Sequence, residues 1–234
     1  MAEGRTAVEM MPHHAWHDRA EFEARGVERV PLPTFGPALP HDWRDGLRTL
    51  TGPLCTLREL KLEDAPSLCA ELTPEEVSRF ISPPPTSVEG FEAFITWAHQ
   101  QRARGRYVCF GVVPAGQTAA VGLFQVCLPE PGSATAEWGF VLGSSYWGTG
   151  IFMEGARRVL DFAFRQLGLE RLEARAVPQN GRGNGALRKI GARRVGLLRG
   201  SLERFGERLD QALWIITGRD WWDAVRGKKR ETVH

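Results

Sequence analysis

The spacing of apolar residues alternates between a helical and a strand period from residue 54 onward. Phe91, Phe94, Ile95 and Ala98 recur at helical spacing, and Ser87 ahead of them suits a helix cap, so the pattern predicts a helix over 87–104. Apolar residues also share one face between residues 148 and 168, which predicts a second helix. Each of these helices needs a partner surface for its apolar face.

Short alternating runs lie between and after the two helices. Three runs begin at Tyr107, Ala119 and Ala134, and only the turn sequences PAGQT and PEPGSA separate them, which predicts an antiparallel meander. Other strands are predicted at CTLREL, LERLEARAV, ARRVGLLRGS and QALWIIT, with a short helix over 180–190. The predicted fold class is α/β, with a mixed, mostly antiparallel sheet flanked by helices over residues 51–218.

Both ends of the chain differ in composition from this domain. Prolines recur in VPLPTFGPALPHDW and forbid regular helix there, so residues 1–50 are predicted to be an N-terminal extension, an arm that either covers a cleft or mediates self-association as a homodimer. His13, His14 and His17 lie in this arm, and without a carboxylate-rich or cysteine-rich neighbour they fit a solvated cluster better than a metal site. Residues 219–234 are predicted to be a basic C-terminal tail, in which the run RGKKRE is solvated.

Overall composition narrows the class of protein. The chain has 234 residues, of which 42% are hydrophobic and 25% charged, as expected for one globular domain with an appendage. Its formal net charge of +2 is too small to indicate nucleic acid or an anionic membrane as the main partner. No run reaches the roughly 18 apolar residues of a membrane span. The four cysteines lack CxxC spacing and favour free thiols in a reducing cytoplasm.

Gly148-Thr149-Gly150 stands at the entrance of the second helix. Glycine lowers helix stability by roughly 0.5–1 kcal/mol relative to alanine, so two glycines here indicate a special backbone angle or a ligand close to the backbone. The free amides and the dipole of a helix N-terminus suit a phosphate group. A dinucleotide fingerprint needs glycine where Met153 stands, and the nucleotide P-loop motif is absent. Taken alone, the pair also fits a tight strand-to-helix turn.

A second motif downstream gives these glycines a context. EWGFVLGSSYWGTGIFMEGARRVLDFAF, followed by ARAVPQNGRGNGALRKIGA, resembles the GNAT superfamily of N-acetyltransferases, and within it the RimJ/RimL type. The resemblance covers about residues 54–217. The residues that stand in the positions of the two family motifs are Glu137, Gly139, Phe140, Leu142, Tyr146, Trp147, Gly148, Gly150, Glu154, Asn180, Lys189 and Gly191.

The resemblance implies acetyl-CoA as donor, an amine as acceptor, direct transfer in a ternary complex, and no metal. It implies that the backbone of Phe140, Val141 and Leu142 holds the pantetheine arm as an added strand, with an N–H near Val141 polarising the thioester carbonyl. It also implies that Asn180 bonds the arm from the other side. The resemblance also implies a cofactor-binding motif, in which the amides of the last four residues bind the pyrophosphate. The motif consists of Tyr146, Trp147, Gly148, Thr149, Gly150 and Ile151.

Four positions depart from the family pattern. Ser145 and Thr149 stand where a loop cation is common, and Gly183 stands where the second motif has serine. The tyrosine that protonates the leaving thiolate in many relatives would fall near Arg188. Two arginines of the following helix, Arg157 and Arg158, are either substitute phosphate ligands or solvated surface residues.

Glu137 is the candidate catalytic residue. It lies on a predicted strand, on the face opposite Trp138 and Phe140, and is either a general base for the acceptor amine or a structural glutamate paired with an arginine. Cys109 and Cys127 fit core thiols better than an acyl-carrying nucleophile.

Three functions remain open at this point. The first is transfer to a protein α-amine or a small amine, the second is transfer to an antibiotic or polyamine, and the third is a non-catalytic acyl-CoA-binding module. Glu71, Glu75 and Glu76 are candidate contributors to a cationic acceptor site. The tryptophans Trp214, Trp221 and Trp222 either line an acceptor pocket or cover the sheet, with packing the favoured role.

Overall fold

The structure, a computed structural model, describes residues 42–204 and 206–231, and the side chains of residues 226–231 are excluded from the description. The histidines His13, His14 and His17, and most of the predicted arm, lie outside these residues. The first half of the described chain contains β1 (Leu50–Thr51), β2 (Cys55–Glu59), α1 (Ala65–Leu72), α2 (Glu75–Ser78), α3 (Val88–Ala103), β3 (Tyr107–Pro114), β4 (Gly122–Cys127) and β5 (Thr135–Leu142). The second half contains α4 (Ile151–Arg165), β6 (Arg171–Ala176), α5 (Gly181–Lys189), β7 (Arg193–Arg204), β8 (Glu207–Thr217) and α6 (Gly218–Glu231).

The strands of these two ranges form one eight-stranded sheet in the order β1-β2-β3-β4-β5-β6-β8-β7. Only the β5–β6 pair is parallel, and the other neighbours are antiparallel. The predicted α/β class, the meander and the mostly antiparallel sheet are therefore confirmed. The helix predicted over 87–104 is also present, and Ser87 caps it by accepting the Gly90 amide at 3.1 Å.

Helices cover both faces of the sheet. Apolar residues of α4, α5 and α6 pack on one face, where Leu160 and Phe162 are 0% and 2% exposed. Apolar residues of α1 and α3 pack on the other face, where Leu68 and Phe91 are both fully buried. The alternation of side chains along each strand thus divides the core into two layers, with the sheet between them.

Helix α4 begins at Ile151, whereas the spacing of apolar residues predicts a start at residue 148. Gly148 and Gly150 have φ angles of 78° and 92°, and an α-helix requires a negative φ. The apolar pattern cannot reveal this difference, because glycine has no side chain that would break the pattern. The two glycines therefore belong to a loop in front of the helix.

The C-terminal segment predicted as a basic tail contributes to helix α6, which begins at Gly218. Trp221 and Trp222 in its first turns are 7% and 8% exposed and pack in the same apolar layer as α4. Trp214 of β8 is 4% exposed, so all three tryptophans pack in the core, as the sequence favoured. Burial of two indoles anchors the helix, although the residues after Asp223 are rich in charge.

The last part of the predicted arm contacts the domain. Trp43, Leu47 and Leu50 pack against the layer that contains α4, and Arg102 Nη1 donates to the Trp43 carbonyl at 3.4 Å. Leu50 also pairs with Leu57 of β2 in the sheet. The division of the chain at residue 50 remains a prediction.

A buried ion pair fixes the turn before α1. Asp64 is 1% exposed and accepts two hydrogen bonds from the Arg58 guanidinium, at 2.7 and 2.8 Å. It also accepts the amides of Lys61 and Ala120, at 2.8 and 2.9 Å. Burial alone would raise the pKa of Asp64, but the hydrogen bonds from Arg58 and the two amides outweigh it and hold the pKa below its ordinary value.

Candidate active site

The two central strands of the sheet part after Glu137. β5 and β6 pair over only three residues each, and this pairing ends at Glu137 and Glu173. Beyond that point β5 stays paired with β4 as far as Leu142, while β6 stays paired with β8 as far as Ala176. A gap, here named the wedge, therefore opens in the middle of the sheet between residues 138–142 and 174–176.

Alternate backbone groups of β5 point into the wedge. The Gly143 amide donates to the Val121 carbonyl at 2.9 Å, and hydrogen bonding alternates along an antiparallel pair, so the amide of Val141 also points toward β4. The amides of Phe140 and Leu142 point the other way, into the wedge. These two donors flank Val141, near which a donor is expected, and the sequence does not reveal the hydrogen-bond alternation that distinguishes them from the Val141 amide itself. Val141 contributes its side chain, which is 9% exposed.

The loop between β5 and α4 presents its backbone to solvent. Gly148, Thr149 and Gly150 are all exposed, and Thr149 Oγ1 donates to the Tyr146 carbonyl at 2.7 Å, which closes the turn. The Glu154 amide donates to the Gly150 carbonyl at 3.1 Å, so helical pairing starts there. The amides before Glu154 have no partner within the helix, and they form the positive end of its dipole.

Three contacts hold the first turn of α4 in place. The Phe152 ring lies 4.6 Å from the Phe140 ring, centroid to centroid, and so connects the helix to the strand that borders the wedge. Glu154 Oε2 accepts the Leu54 amide at 3.0 Å, and Ile151 is 7% exposed. The loop that carries the two glycines is therefore positioned by a rigid base.

Trp147 connects the loop to the wedge. Its Nε1 donates to the Leu142 carbonyl at 2.8 Å, which places the indole at the end of β5. The Arg182 guanidinium carbon lies 4.1 Å from the centre of the Trp147 ring, in a cation–π contact from helix α5. Sequence reasoning missed Arg182 because only the fold brings α5 beside the loop.

The two arginines considered as substitute cations behave differently from Arg182. Arg158 Nε lies 3.5 Å from Glu154 Oε1, so this arginine is paired on its own helix. Arg157 is exposed, one turn into the helix. Arg182, by contrast, reaches the loop from another element, where Ser145 and Thr149 supply no cation.

Asn180 caps helix α5 on the far side of the wedge. Its Oδ1 accepts the Gly183 amide at 2.8 Å, and a Cβ at Gly183 would stand 2.7 Å from Asn180 Nδ2. A serine at position 183, as in the family motif, would require the Asn180 amide group to shift. Trp214 Nε1 donates to Asn184 Oδ1 at 2.9 Å and fixes the same helix against β8.

A cavity extends from the wedge toward α2. Four of the predicted site residues line it together: Glu137, Phe140, Val141 and Asn180. Of the others, Leu142 ends β5, and Tyr146 to Ile151 form the loop and the first residue of α4 at the end of the wedge. The Tyr146 hydroxyl contacts Gln117 Oε1 at 3.3 Å on the outer side. Further lining residues are Phe80, Ile81, Ser82, Leu123, Gln125, Trp138, Gly139, Ala174, Arg175, Ala176, Gly183, Leu187 and Gln211.

Glu137 lies where the two strands part, and its partner is Arg175 of β6. Arg175 Nε lies 3.7 Å from Glu137 Oε2, and both side chains line the cavity. Burial is the main influence and raises the pKa of Glu137 above its ordinary value; Glu173 adds to this effect, and Arg175 opposes it. A carboxyl group of this kind suits proton transfer near neutral pH.

Other candidates are excluded from proton transfer by their positions. Arg188 is exposed, and its guanidinium carbon lies over the Trp214 ring, 6.0 Å from the ring centre. The residues of α5 that line the cavity are Gly183 and Leu187. The chain has two tyrosines, and neither lines the cavity. Tyr107 is buried, and its hydroxyl donates to Gln125 Oε1.

The cysteines on these strands are core thiols, as predicted. Burial raises the pKa of Cys127 to about 12, and it also raises the pKa of Cys109. Both thiols therefore stay protonated and are poor nucleophiles. Of the three glutamates considered for a cationic acceptor site, Glu75 and Glu76 are exposed, and Glu71 lies against Gly143.

Two structural findings concern other kinds of site. Within residues 42–204 and 206–231, no three His, Cys, Asp or Glu side chains come together as a metal site would require. No helix in this part of the chain combines the length and apolar character needed to cross a membrane.

Comparisons with known proteins agree with this geometry. A family model described as "Acetyltransferase (GNAT) domain" matches residues 55–193. The "Uncharacterized N-acetyltransferase p20" of Bacillus licheniformis is 26% identical over 176 residues, which cover 75% of this chain and 99% of that protein. The "Probable N-acetyltransferase YjcK" of Bacillus subtilis (strain 168) is 30% identical over 137 residues, which cover 57% and 75% of the two chains.

A solved structure shares the fold. Mycobacterium smegmatis RimJ in complex with CoA-disulfide has a TM-score of 0.65 and 22% identity to this chain, and the match covers 74% of this chain and 89% of that one. The resemblance drawn from the two sequence motifs is therefore confirmed at the level of the family. Because the family model matches more than half of the sequence, the chain belongs to the GNAT acetyltransferase family.

Proposed function

We propose that this protein transfers an acetyl group from acetyl-CoA directly to a primary amine. The observation that carries the proposal is the parting of β5 and β6 beyond Glu137, which leaves backbone donors of Phe140 and Leu142 facing an open wedge. A slender amide-containing arm pairs with such a strand as a further strand would. The wedge, the glycine loop and Glu137 lie in a continuous line.

The residues around the wedge fit acetyl-CoA. A Cβ at Gly148 would meet nothing within 4 Å, so the space above the loop is open to a diphosphate. The amides of the first turn of α4 and the Arg182 guanidinium supply positive charge on that side. Phe140 and Asn180 both line the cavity and suit the pantetheine amides. When bound, acetyl-CoA supplies an acetyl thioester.

Glu137 acts as the general base in this proposal. An acceptor ammonium must lose a proton before its nitrogen attacks, and the Glu137 carboxylate takes that proton directly or through one water. The nitrogen–acetyl bond forms as the acetyl–sulfur bond breaks, CoA leaves as its thiolate, and the second proton of the attacking amine passes to that thiolate or to water. A thiol with an ordinary pKa near 8.5 needs no dedicated acid to leave, which suits a cavity without a tyrosine.

A non-catalytic acyl-CoA-binding module is the second candidate. It is favoured by Leu187, an apolar residue on the cavity side of α5 where an acid would be useful. Release of CoA thiol in the presence of an amine separates the two functions, since a binding module produces none.

Several finer points belong to the same proposal. The RimJ/RimL type is supported by the motifs and by the fold shared with RimJ. A cytoplasmic location is supported by four free cysteine thiols. Self-association as a homodimer remains a prediction from the N-terminal arm.

The test combines binding, turnover and two matched variants. Thiol release is measured with acetyl-CoA and a panel of N-terminal peptides, amino acids, polyamines and aminoglycosides. Glu137→Gln should lower kcat by about 10²–10⁴-fold, while the Kd of acetyl-CoA stays within a few-fold. The control is Glu173→Gln, which changes the residue paired with Glu137 across the two strands, and it should leave kcat within a few-fold.

The pH profile gives an independent readout. The base works as a carboxylate, so activity should fall as the pH drops through the raised pKa of Glu137. Glu173 contributes to that raised pKa, so in Glu173→Gln the acidic limb should move to lower pH. Unchanged kcat in Glu137→Gln, with only a raised acceptor KM, would reassign Glu137 to acceptor binding.

A further inference from the structure

The cavity carries one positive and one negative side chain, next to each other. Among the described residues that line it, Glu137 and Arg175 are the only charged ones. They belong to neighbouring strands at the point of parting and lie 3.7 Å apart. The acceptor side of the cavity is therefore polar but close to neutral, a charge balance that does not suit a polycation.

The guanidinium of Arg175 approaches the Glu137 carboxylate with only one of its edges. Its Nε faces the carboxylate, and within the described residues no hydrogen bond involves Nη1 or Nη2. Arg175 Nε itself is buried and lacks a hydrogen-bond partner. A planar guanidinium with a free terminal edge is suited to bind a carboxylate through two parallel hydrogen bonds.

We propose that the acceptor is a small amine that carries its own carboxylate, as an amino acid does. Its amine meets Glu137, and its carboxylate meets the free edge of Arg175. This inference rests on the proposed transferase function and deepens it by naming the acceptor class. Glu137 and Arg175 are neutral as a pair, so a zwitterion matches both charges, whereas a polyamine or aminoglycoside would bring several cations to a single carboxylate.

The walls of the cavity limit the size of the acceptor. The cavity measures about 130 Å³, well below the roughly 300–1,000 Å³ of pockets that enclose drug-sized ligands, and it also receives the end of the pantetheine arm, so the space left for the acceptor is small. Arg204 Nη2 at the end of β7 donates to the Ser78 carbonyl of α2 at 3.0 Å, so the β7–β8 hairpin closes against the helix beside the cavity. Phe80, Ile81 and Leu123 supply apolar wall, which favours an aliphatic side chain on the acceptor.

Matched amines test the acceptor class. The probes are L-leucine, L-leucinamide, 3-methylbutylamine and spermidine, with the other proteinogenic amino acids beside their α-amides, each measured by thiol release with acetyl-CoA. An amino acid should exceed its amide at least tenfold in kcat/KM. The amide has the less basic amine and so the larger deprotonated fraction, which means that amine chemistry alone would favour the amide.

Variants assign the preference to Arg175. Arg175→Gln should bring the acid-to-amide ratio close to one, and Arg175→Lys should give an intermediate ratio, because lysine offers a charge without a planar fork. Any change that Arg175→Gln causes in Glu137 affects both acceptors equally and cancels in the ratio. The control is Arg171→Gln. Arg171 lies on the same strand as Arg175, forms an ion pair with Glu173 at 2.7 Å, and does not line the cavity. Its ratio should match that of the unmodified chain.

Binding provides a second readout. Calorimetric titration should show N-acetyl-L-leucine binding more tightly than N-acetyl-L-leucinamide, and Arg175→Gln should remove this difference. Equal use of acids and amides, an unchanged ratio in Arg175→Gln, or spermidine as the best acceptor would each overturn the proposal. Absence of transfer to every amine of the panel, with or without acetyl-CoA binding, would instead refute the proposed transferase function.

Discussion

Replacing Gly148 by alanine tests the phosphate-binding loop, and Gly168 supplies the matched control. The two glycines flank helix α4, one before its first turn and one after its last, with φ angles of 78° and 68°. Both are exposed, and a Cβ at either position would meet nothing within 4 Å. The backbone cost is therefore the same, but only Gly148→Ala puts a methyl group where the diphosphate is proposed to approach.

The magnitudes follow from that geometry. Alanine in the left-handed region costs about 1–2 kcal/mol, which lowers the melting temperature of a chain of this size by roughly 2–8 °C in both variants. Acetyl-CoA at 100 times its Kd adds about 2.7 kcal/mol of stability, or roughly 5–11 °C. Loss of one amide hydrogen bond to a charged group removes about 1.5–3 kcal/mol of binding, which weakens the affinity of Gly148→Ala by about 10–150-fold.

Differential scanning fluorimetry over a titration of acetyl-CoA measures both the stability lost to the backbone strain and the change in affinity for acetyl-CoA. Without ligand, the two variants should melt at similar temperatures below the unmodified chain. With ligand, Gly168→Ala should keep the full upward shift, and Gly148→Ala should require at least tenfold more acetyl-CoA to reach it. If Gly148→Ala keeps the same titration curve as Gly168→Ala, the loop does not hold the phosphates.

Two further predictions concern stability and the phosphate cation. Asp64→Asn should destabilise the protein by about 3 kcal/mol in urea unfolding, because it leaves Arg58 without its buried partner. The control is Asp161→Asn, which changes an exposed ion pair on α4 and should cost less than about 1 kcal/mol. Because folding lowers the pKa of Asp64, its carboxylate stabilises the fold at pH values above the unfolded-state pKa near 3.8. The difference in unfolding free energy between the two variants should therefore narrow as the pH falls below that value, and a constant difference would contradict this. Arg182→Gln should raise the Kd of acetyl-CoA several-fold and weaken its salt dependence, whereas Arg188→Gln on the same helix should change neither; equal effects would place the cation elsewhere.

Local signals in the sequence predicted much of the fold. The meander was predictable because each strand alternates and the turns between strands are short and rich in glycine and proline. Asn180 was placed correctly at the start of a helix, since its side chain caps that helix. Helix α6 was missed because charges dominate its composition, although Thr217 caps its start by accepting the Asp220 amide at 3.2 Å; burial of Trp221 and Trp222 anchors it.

The residues of the candidate site also differ in whether local sequence or long-range packing reveals them. Glu137 and the glycine loop lie within one short stretch of sequence, so the motif alone pointed to both. Arg175 and Arg182 come from elements that reach the site only through the parallel pairing of β5 with β6 and the packing of α5. Nothing in their immediate sequence separates them from the other arginines of this arginine-rich chain.

The parting of β5 and β6 also gives the sheet two inner edges. An unpaired strand at the rim of a sheet can recruit strands from other chains and start aggregation, so proteins protect such rims with charges, prolines or short strands. Here the unpaired stretch of β5 lies in the middle of the sheet, between Trp147 at one end and the Glu137–Arg175 pair at the other. A strand of another folded protein cannot pair along this stretch of β5, whereas a narrow, flexible ligand can enter the wedge end-on. This location lets the protein keep a reactive backbone edge without exposing it to other proteins.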